Sequence, residues 1–145
     1  MIALGCDHGG FGLKQTVMKY LDEKGLAYKD YGTYTLDSCD YPVYGEAAAR
    51  AIVSGECERG IIICGTGIGI SIAANKVKGI RAAVCHNEFT AQMCREHNNA
   101  QILSMGARVL DEATALEIVE IFLNTEFAGG RHTGRVEKLM EIENR

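Results

Sequence analysis

Residues 61–75, Ile-Ile-Ile-Cys-Gly-Thr-Gly-Ile-Gly-Ile-Ser-Ile-Ala-Ala-Asn, narrow the choice of fold more than any other stretch of this chain. Three consecutive β-branched residues suit a strand covered on both faces. Cys64 stands where that run stops. Gly65, Thr66, Gly67, Ile68 and Gly69 follow, and residues 71–75 read as a small-residue helix. Strand, glycine turn and helix N-terminus together gather backbone N–H groups and positive dipole around an anion.

The flanking segments repeat the alternation of strand and helix. Residues 2–6 read as a buried strand, and Leu13, Val17, Tyr20 and Leu21 then recur at helical spacing until Gly25 stops the helix. Residues 27–31 form a second, more polar strand near an edge, followed by a loop over 32–41. Pro42, the only proline, is placed to begin a helix with Val43, Ala47, Ala51 and Ile52 as its apolar stripe. Glu46 and Arg50 form an i,i+4 pair on that helix. Strand four covers 80–85, Asn87 caps a helix through Arg95, and strand five covers 101–105. Asp111 caps the helix carrying Leu116, Val119, Phe122 and Leu123. After Gly129-Gly130 a last helix, about 133–144, holds Val136, Leu139 and Met140.

Strands alternating with helices imply βαβ units and right-handed crossovers. The expected architecture is α/β: one domain over 1–145, a Rossmann-like three-layer αβα sandwich on a five-stranded parallel sheet. Ligands in such sheets bind beyond the carboxyl ends of the strands. That rule puts Asp7-His8, Cys64 with its glycines, and the 85–87 turn on one rim. His97 and Asn98 precede the fifth strand, at the opposite end, and reach the same site only from a second subunit.

Composition excludes several function classes. With 15 basic and 19 acidic side chains the net charge is −4, which favours neither nucleic acid nor a membrane surface as partner. No apolar run approaches the ~20 residues of a spanning helix, and the N-terminus lacks a signal-peptide pattern, so the expected location is cytoplasmic. Six cysteines without a C-x-x-C pair read as free thiols, and no second ligand pair supports zinc; no metal is expected.

The glycine loop fits none of the common nucleotide cradles. A dinucleotide fingerprint needs its third glycine at position 70, where this chain has Ile70, and the P-loop's Lys-Ser/Thr ending is missing. A cysteine phosphatase loop needs an arginine at the same position. The remaining functional reading is a backbone cradle in which helix dipole and converging N–H groups favour a thiolate at Cys64. Arg131 and Arg135, four apart around His132, make a fork suited to a phosphate. These features describe a small phosphorylated substrate whose reacting end lies in the cradle.

Six stretches carry a family resemblance: Gly-Cys-Asp-His-Gly-Gly (5–10), Asp-Tyr-Pro (40–42), Cys-Gly-Thr-Gly-Ile-Gly (64–69), Ala-Ala-Asn-Lys (73–76), His-Asn-Asn-Ala (97–100) and Gly-Gly-Arg-His-x-x-Arg-Val (129–136). From end to end the chain resembles the type B ribose-5-phosphate isomerases, grouped with the galactose-6-phosphate isomerase subunits. The resemblance implies aldose–ketose isomerisation of ribose 5-phosphate and ribulose 5-phosphate through a cis-enediolate, without a cofactor. It also implies a homodimer, or a tetramer, with shared sites and the last helix at a subunit interface.

Carried over by position, Cys64 matches the proton-transfer base and Thr66 a second catalytic position. Gly65, Thr66, Gly67, Ile68 and Gly69 match the loop that holds the enediolate, and His97 the acid that opens the furanose ring. Asp7, His8 and Asn98 match substrate positions, and Arg108, Arg131 and Arg135 phosphate contacts. Asn99 departs from the aspartate common in the family, and a branch using a glutamate base would place it at Ile70. A hexose 6-phosphate isomerase (allose or galactose) and a non-catalytic sugar-phosphate binding module are the competing readings.

Overall fold

The computed structural model describes residues 1–145. Five strands, β1 (Ile2–Cys6), β2 (Tyr28–Asp30), β3 (Arg59–Cys64), β4 (Ala82–Val84) and β5 (Ile102–Gly106), form one sheet in the order β2-β1-β3-β5-β4. All neighbours pair in parallel. Six helices connect or follow them: α1 (Phe11–Glu23), α2 (Tyr41–Val53), α3 (Ile68–Asn75), α4 (Glu88–Glu96), α5 (Glu112–Asn124) and α6 (Arg131–Glu141).

The two-residue period of the strands divides the core into two apolar layers. Leu4, Ile61, Ile63, Leu103 and Met105 face α1, α4 and α5. Ala3, Ile62, Cys64 and Ile102 face α2 and α3. Burial on both sides explains the unbroken isoleucine run of β3. The α/β sandwich with a five-stranded parallel sheet is therefore as expected.

Element ends differ modestly. β2 and β4 are three residues each, shorter than 27–31 and 80–85, because both are edge strands paired on one side only. The helix after the glycine loop starts at Ile68, not at 71. The last helix spans Arg131–Glu141, and a 3₁₀ turn continues it over Ile142–Asn144.

The apolar stripe of α2 is corrected in part. Ala51 is buried and Ile52 packs against the core as expected, but Val43 is exposed, and Gly45, Ala48 and Ala49 are buried beside them. Close packing decides this: a Cβ on Gly45 would lie 2.8 Å from the Ile70 carbonyl oxygen of α3. Small residues face inward where two helices approach closely, and bulk alone misleads there. Pro42 does sit in the first turn, Asn87 and Asp111 do cap α4 and α5, and Arg50 does bond Glu46 at 2.8 Å.

Strand order reverses between β1 and β3, so the crevice beyond their carboxyl ends is the topological switch point. Asp7 and the Cys64 loop both open there. The 85–87 turn lies on the same rim but follows edge strand β4, two strand spacings or about 10 Å from β3. The loop after β5, carrying Arg108, fills the place beside Cys64 instead.

Candidate active site

Residue contacts assemble one set of groups at the switch point. Cys64 ends β3 almost wholly buried, and its Sγ accepts a hydrogen bond from the Gly67 N–H at 3.2 Å. Gly67 is the N-cap of α3 with φ 78°, and a Cβ there would meet the Met105 carbonyl carbon at 2.8 Å. Both the left-handed backbone and the close approach demand glycine. From below, the Ser104 hydroxyl donates to the Gly67 carbonyl at 2.6 Å. The Ala107 and Arg108 N–H groups donate to the carbonyls of Cys64 and Gly65 at 2.9 and 3.0 Å. The loop is thus held on several sides before any ligand arrives.

Arg108 lies beside Gly65, its guanidinium 3.4 Å from where a Cβ would be. Across the loop, Asp7 is buried at the end of β1, and its Oδ1 accepts from the Gly10 N–H at 3.0 Å. Gly9 bridges the two parts: a Cβ on it would lie 3.3 Å from Asp7 Oδ1 and 3.5 Å from the Gly65 nitrogen. His8 Nδ1 accepts the Cys39 N–H at 3.2 Å, so the neutral ring carries its proton on Nε2. Thr66 Oγ1 accepts from the Ile68 N–H at 3.2 Å, which leaves its own proton free to donate. Cys6, next to Asp7, is a different kind of thiol: burial pushes it up to about 11, against the pull of Lys14.

A second set gathers at the other edge of the sheet. His97, Asn98, Arg131, His132, Arg135 and Val136 line a cleft of about 270 Å³, together with Leu139. Helical spacing on α6 puts both arginines on it, as the sequence predicts. His97 is the C-cap of α4, its N–H bonded to the Met93 carbonyl at 2.8 Å. Asn99 takes φ 47°, a left-handed conformation that asparagine tolerates. Its Oδ1 accepts from Arg95 at 2.9 Å, while Arg81 donates to the Asn98 and Asn99 carbonyls, each at 2.9 Å. Burial first, then repulsion from Arg59, draws the Arg95 guanidinium down to about 10, still charged at neutral pH.

Parallel register separates the two sets. Gly60 pairs with Ile102 and Cys64 with Gly106, so the strand ends lie about 13 Å apart along the sheet. Cys64, Thr66, Arg108, Asp7 and His8 occupy the carboxyl rim; His97, which precedes Ile102, lies at the amino rim with Asn98, Arg131 and Arg135. One chain brings each half together and keeps the halves apart. A larger cleft of about 420 Å³ adjoins the second half and shares Asn98 and Leu139 with it. Its charged groups are occupied: Arg81 braces the 98–99 backbone, and Glu143 accepts from the Gly79 N–H at 3.0 Å.

Sequence reading missed Ser104, Arg81, Arg95 and Cys39, all of which position the halves. A lone hydroxyl inside the strand Ile-Leu-Ser-Met-Gly was the available sign for Ser104. The others act through contacts up to 31 residues away, with no local signature.

Comparison with known proteins adds an independent line. A family model described as Ribose/Galactose Isomerase matches residues 2–139. Ribose-5-phosphate isomerase B of Escherichia coli is 47% identical over 144 residues, 99% of this chain and 97% of that protein. D-erythrulose-4-phosphate isomerase of Pectobacterium atrosepticum is 45% identical over 144 residues, 99% of this chain and 95% of that protein. The structure of Clostridium thermocellum ribose-5-phosphate isomerase B superposes with a TM-score of 0.98 at 55% identity, covering 99% of this chain and 97% of that one.

Proposed function

The chain belongs to the ribose/galactose isomerase family as a homologue of the type B ribose-5-phosphate isomerases, and from that premise we propose that it interconverts ribose 5-phosphate and ribulose 5-phosphate. The observation that carries the reading is Cys64 beneath a loop of backbone donors at the switch point. His97 gives a proton to the ring oxygen while the anomeric hydroxyl loses one, and the C1–O4 bond breaks to leave the aldehyde. Cys64, as thiolate, then takes the C2 proton. Charge moves onto O1 of the cis-enediolate, where the amides of the 65–69 loop and the Thr66 hydroxyl meet it. The thiol returns its proton at C1, a proton passes from O2 to O1, and the ketose results.

The loop amides act where charge develops, and the contacts beneath them mean that no reorganisation is needed. Losing one such donor typically costs ~10²–10³ in rate. Arg131 and Arg135, with Arg108 and His8, hold the phosphate and Asp7 and Asn98 the hydroxyls. Binding energy from the remote dianion thereby positions the reacting carbons. Proton transfer of this kind calls for no metal or redox cofactor.

The complete site combines the carboxyl-rim half of one subunit with the amino-rim half of another. Two features support a dimer built this way. Ile68 and Ile72, one turn apart on α3 beside the loop, are each 55% exposed. No residue of α6 is buried within the chain, and Leu139 and Ile142 stand out from the C-terminal segment into solvent. Both surfaces suit burial against a second copy, with α6 at the interface.

Sugar length is the open choice within the family, as the Pectobacterium relative's four-carbon name illustrates. With one preparation, kcat/KM is measured for ribose 5-phosphate, allose 6-phosphate, galactose 6-phosphate and erythrulose 4-phosphate. The pentose phosphate is expected to lead; a preference of about tenfold or more for another sugar overturns that choice. Cys64→Ala is expected to bind sugar phosphate and turn over none. A wild type that binds but converts nothing makes the protein a binding module.

A further inference from the structure

The motif Arg131-His132-x-x-Arg135 contains a histidine to which neither the phosphate fork nor the proton-transfer scheme gives a role. His132 lies in the first turn of α6, its N–H bonded to the Gly129 carbonyl at 3.0 Å. Its ring is stacked face to face on that of His97, with centroids 4.2 Å apart and planes inclined by 15°. Few side chains in this structure have their orientation set so directly by one other ring. We propose that His132 is the positioning residue for His97, holding its imidazole in the plane from which it protonates the sugar ring oxygen. The inference rests on the isomerase reading above.

Charge explains why an imidazole suits this place. The surroundings of His132 are His97 at the end of α4, Arg131 and Arg135 on its own helix, and the Glu96 carboxylate. Partial burial, then His97, then the two arginines hold its pKa below the ordinary histidine value, with Glu96 opposing them. Two stacked imidazolium rings beside two guanidinium groups would repel strongly. With its pKa held below the ordinary value, His132 is uncharged at neutral pH, and its ring face lies against His97 without charge repulsion. Stacking also shields one face of the His97 ring, which lines the cleft, from water.

The proposal separates ring opening from proton transfer, and the substrates allow the same separation. Ribose 5-phosphate closes into a furanose through O4 and must be opened. Ribulose 5-phosphate cannot close, because its C5 oxygen carries the phosphate. Exchange of its C1 hydrogen in D₂O, followed by proton NMR, reports Cys64 chemistry without ring opening. His132→Ala and His132→Phe are compared with wild type in both assays.

His132→Ala is expected to lose at least about tenfold in kcat/KM from ribose 5-phosphate, a share of the ~10²–10⁴ a positioned acid contributes. Its exchange rate should fall by less than about threefold, and His132→Phe, which keeps a stacking face, should recover most of the isomerisation. Equal losses in both assays show a general structural role and overturn the proposal, as does a phenylalanine variant no better than alanine. Wild type inactive in both assays overturns the isomerase reading, and the proposal with it.

Discussion

Ser104 shows how much a single hydroxyl can decide. It is wholly buried in β5, and its only polar partner is the carbonyl of the N-cap glycine that aims an amide at Cys64. Replacing it by alanine leaves that carbonyl with a weaker partner, the Ser71 N–H at 3.3 Å. We expect Ser104→Ala to lower stability by about 1 kcal/mol in denaturant unfolding and to lower kcat more than it changes KM. Unchanged kcat would mean the loop keeps its geometry without this bond. The residue was not legible as functional because its partner is 37 positions away, whereas Cys64 and its glycines advertise themselves in one run. Asn99 is intermediate: its place in the His-Asn-Asn-Ala stretch was visible, its left-handed backbone and its bond to Arg95 were not.

Elements were legible where periodicity and punctuation agree. The caps at Asn87 and Asp111, the proline of α2 and the glycine after α1 all occupy the expected places. The α2 stripe was misread at its N-terminal end, at Val43, because alanine and glycine carry little hydrophobic signal, although they pack most closely. α1 holds a different surprise in Lys14, a charged residue next to Leu13 at the start of the apolar stripe. Its Nζ is buried, donating to Asp30 Oδ1 at 2.7 Å and to the Thr33 carbonyl at 2.5 Å. It ties α1 to the end of β2 and to the following loop, whose Cys39 N–H donates to His8 Nδ1. Removing it strands a partly buried carboxylate and a carbonyl. Lys14→Ala should cost about 3 kcal/mol, the lower end for a broken buried pair because Asp30 keeps some contact with solvent. A loss under about 1 kcal/mol in chemical denaturation would show that the pair contributes little beyond its own desolvation.

At the scale of the molecule, parallel strands and a glycine loop at one carboxyl end were enough to place half of the candidate site. The other half was legible as residues and, from the position of His97 before β5, as belonging to the opposite edge. What the chain order could not supply was strand order, which moves the 85–87 turn away from Cys64 and brings Arg108 beside it. No helix is long and apolar enough to cross a membrane. The exposed isoleucines of α3 and the unburied α6 leave two apolar faces, one next to each half-site.

The central claim is that these halves meet only between subunits, and mixing two crippled proteins tests it most directly. In the proposed dimer Cys64→Ala lacks the proposed base and His97→Ala the proposed acid, so each homodimer would be defective in both of its sites. A heterodimer places intact Cys64 and intact His97 together in one site and both substitutions in the other. After subunit exchange, verified by mass or by a fluorescent label, the mixture should regain about a quarter of the wild-type rate on ribose 5-phosphate, half the dimers being mixed and each holding one intact site. Activity that stays at the average of the two variants, with exchange demonstrated, would contradict the shared site.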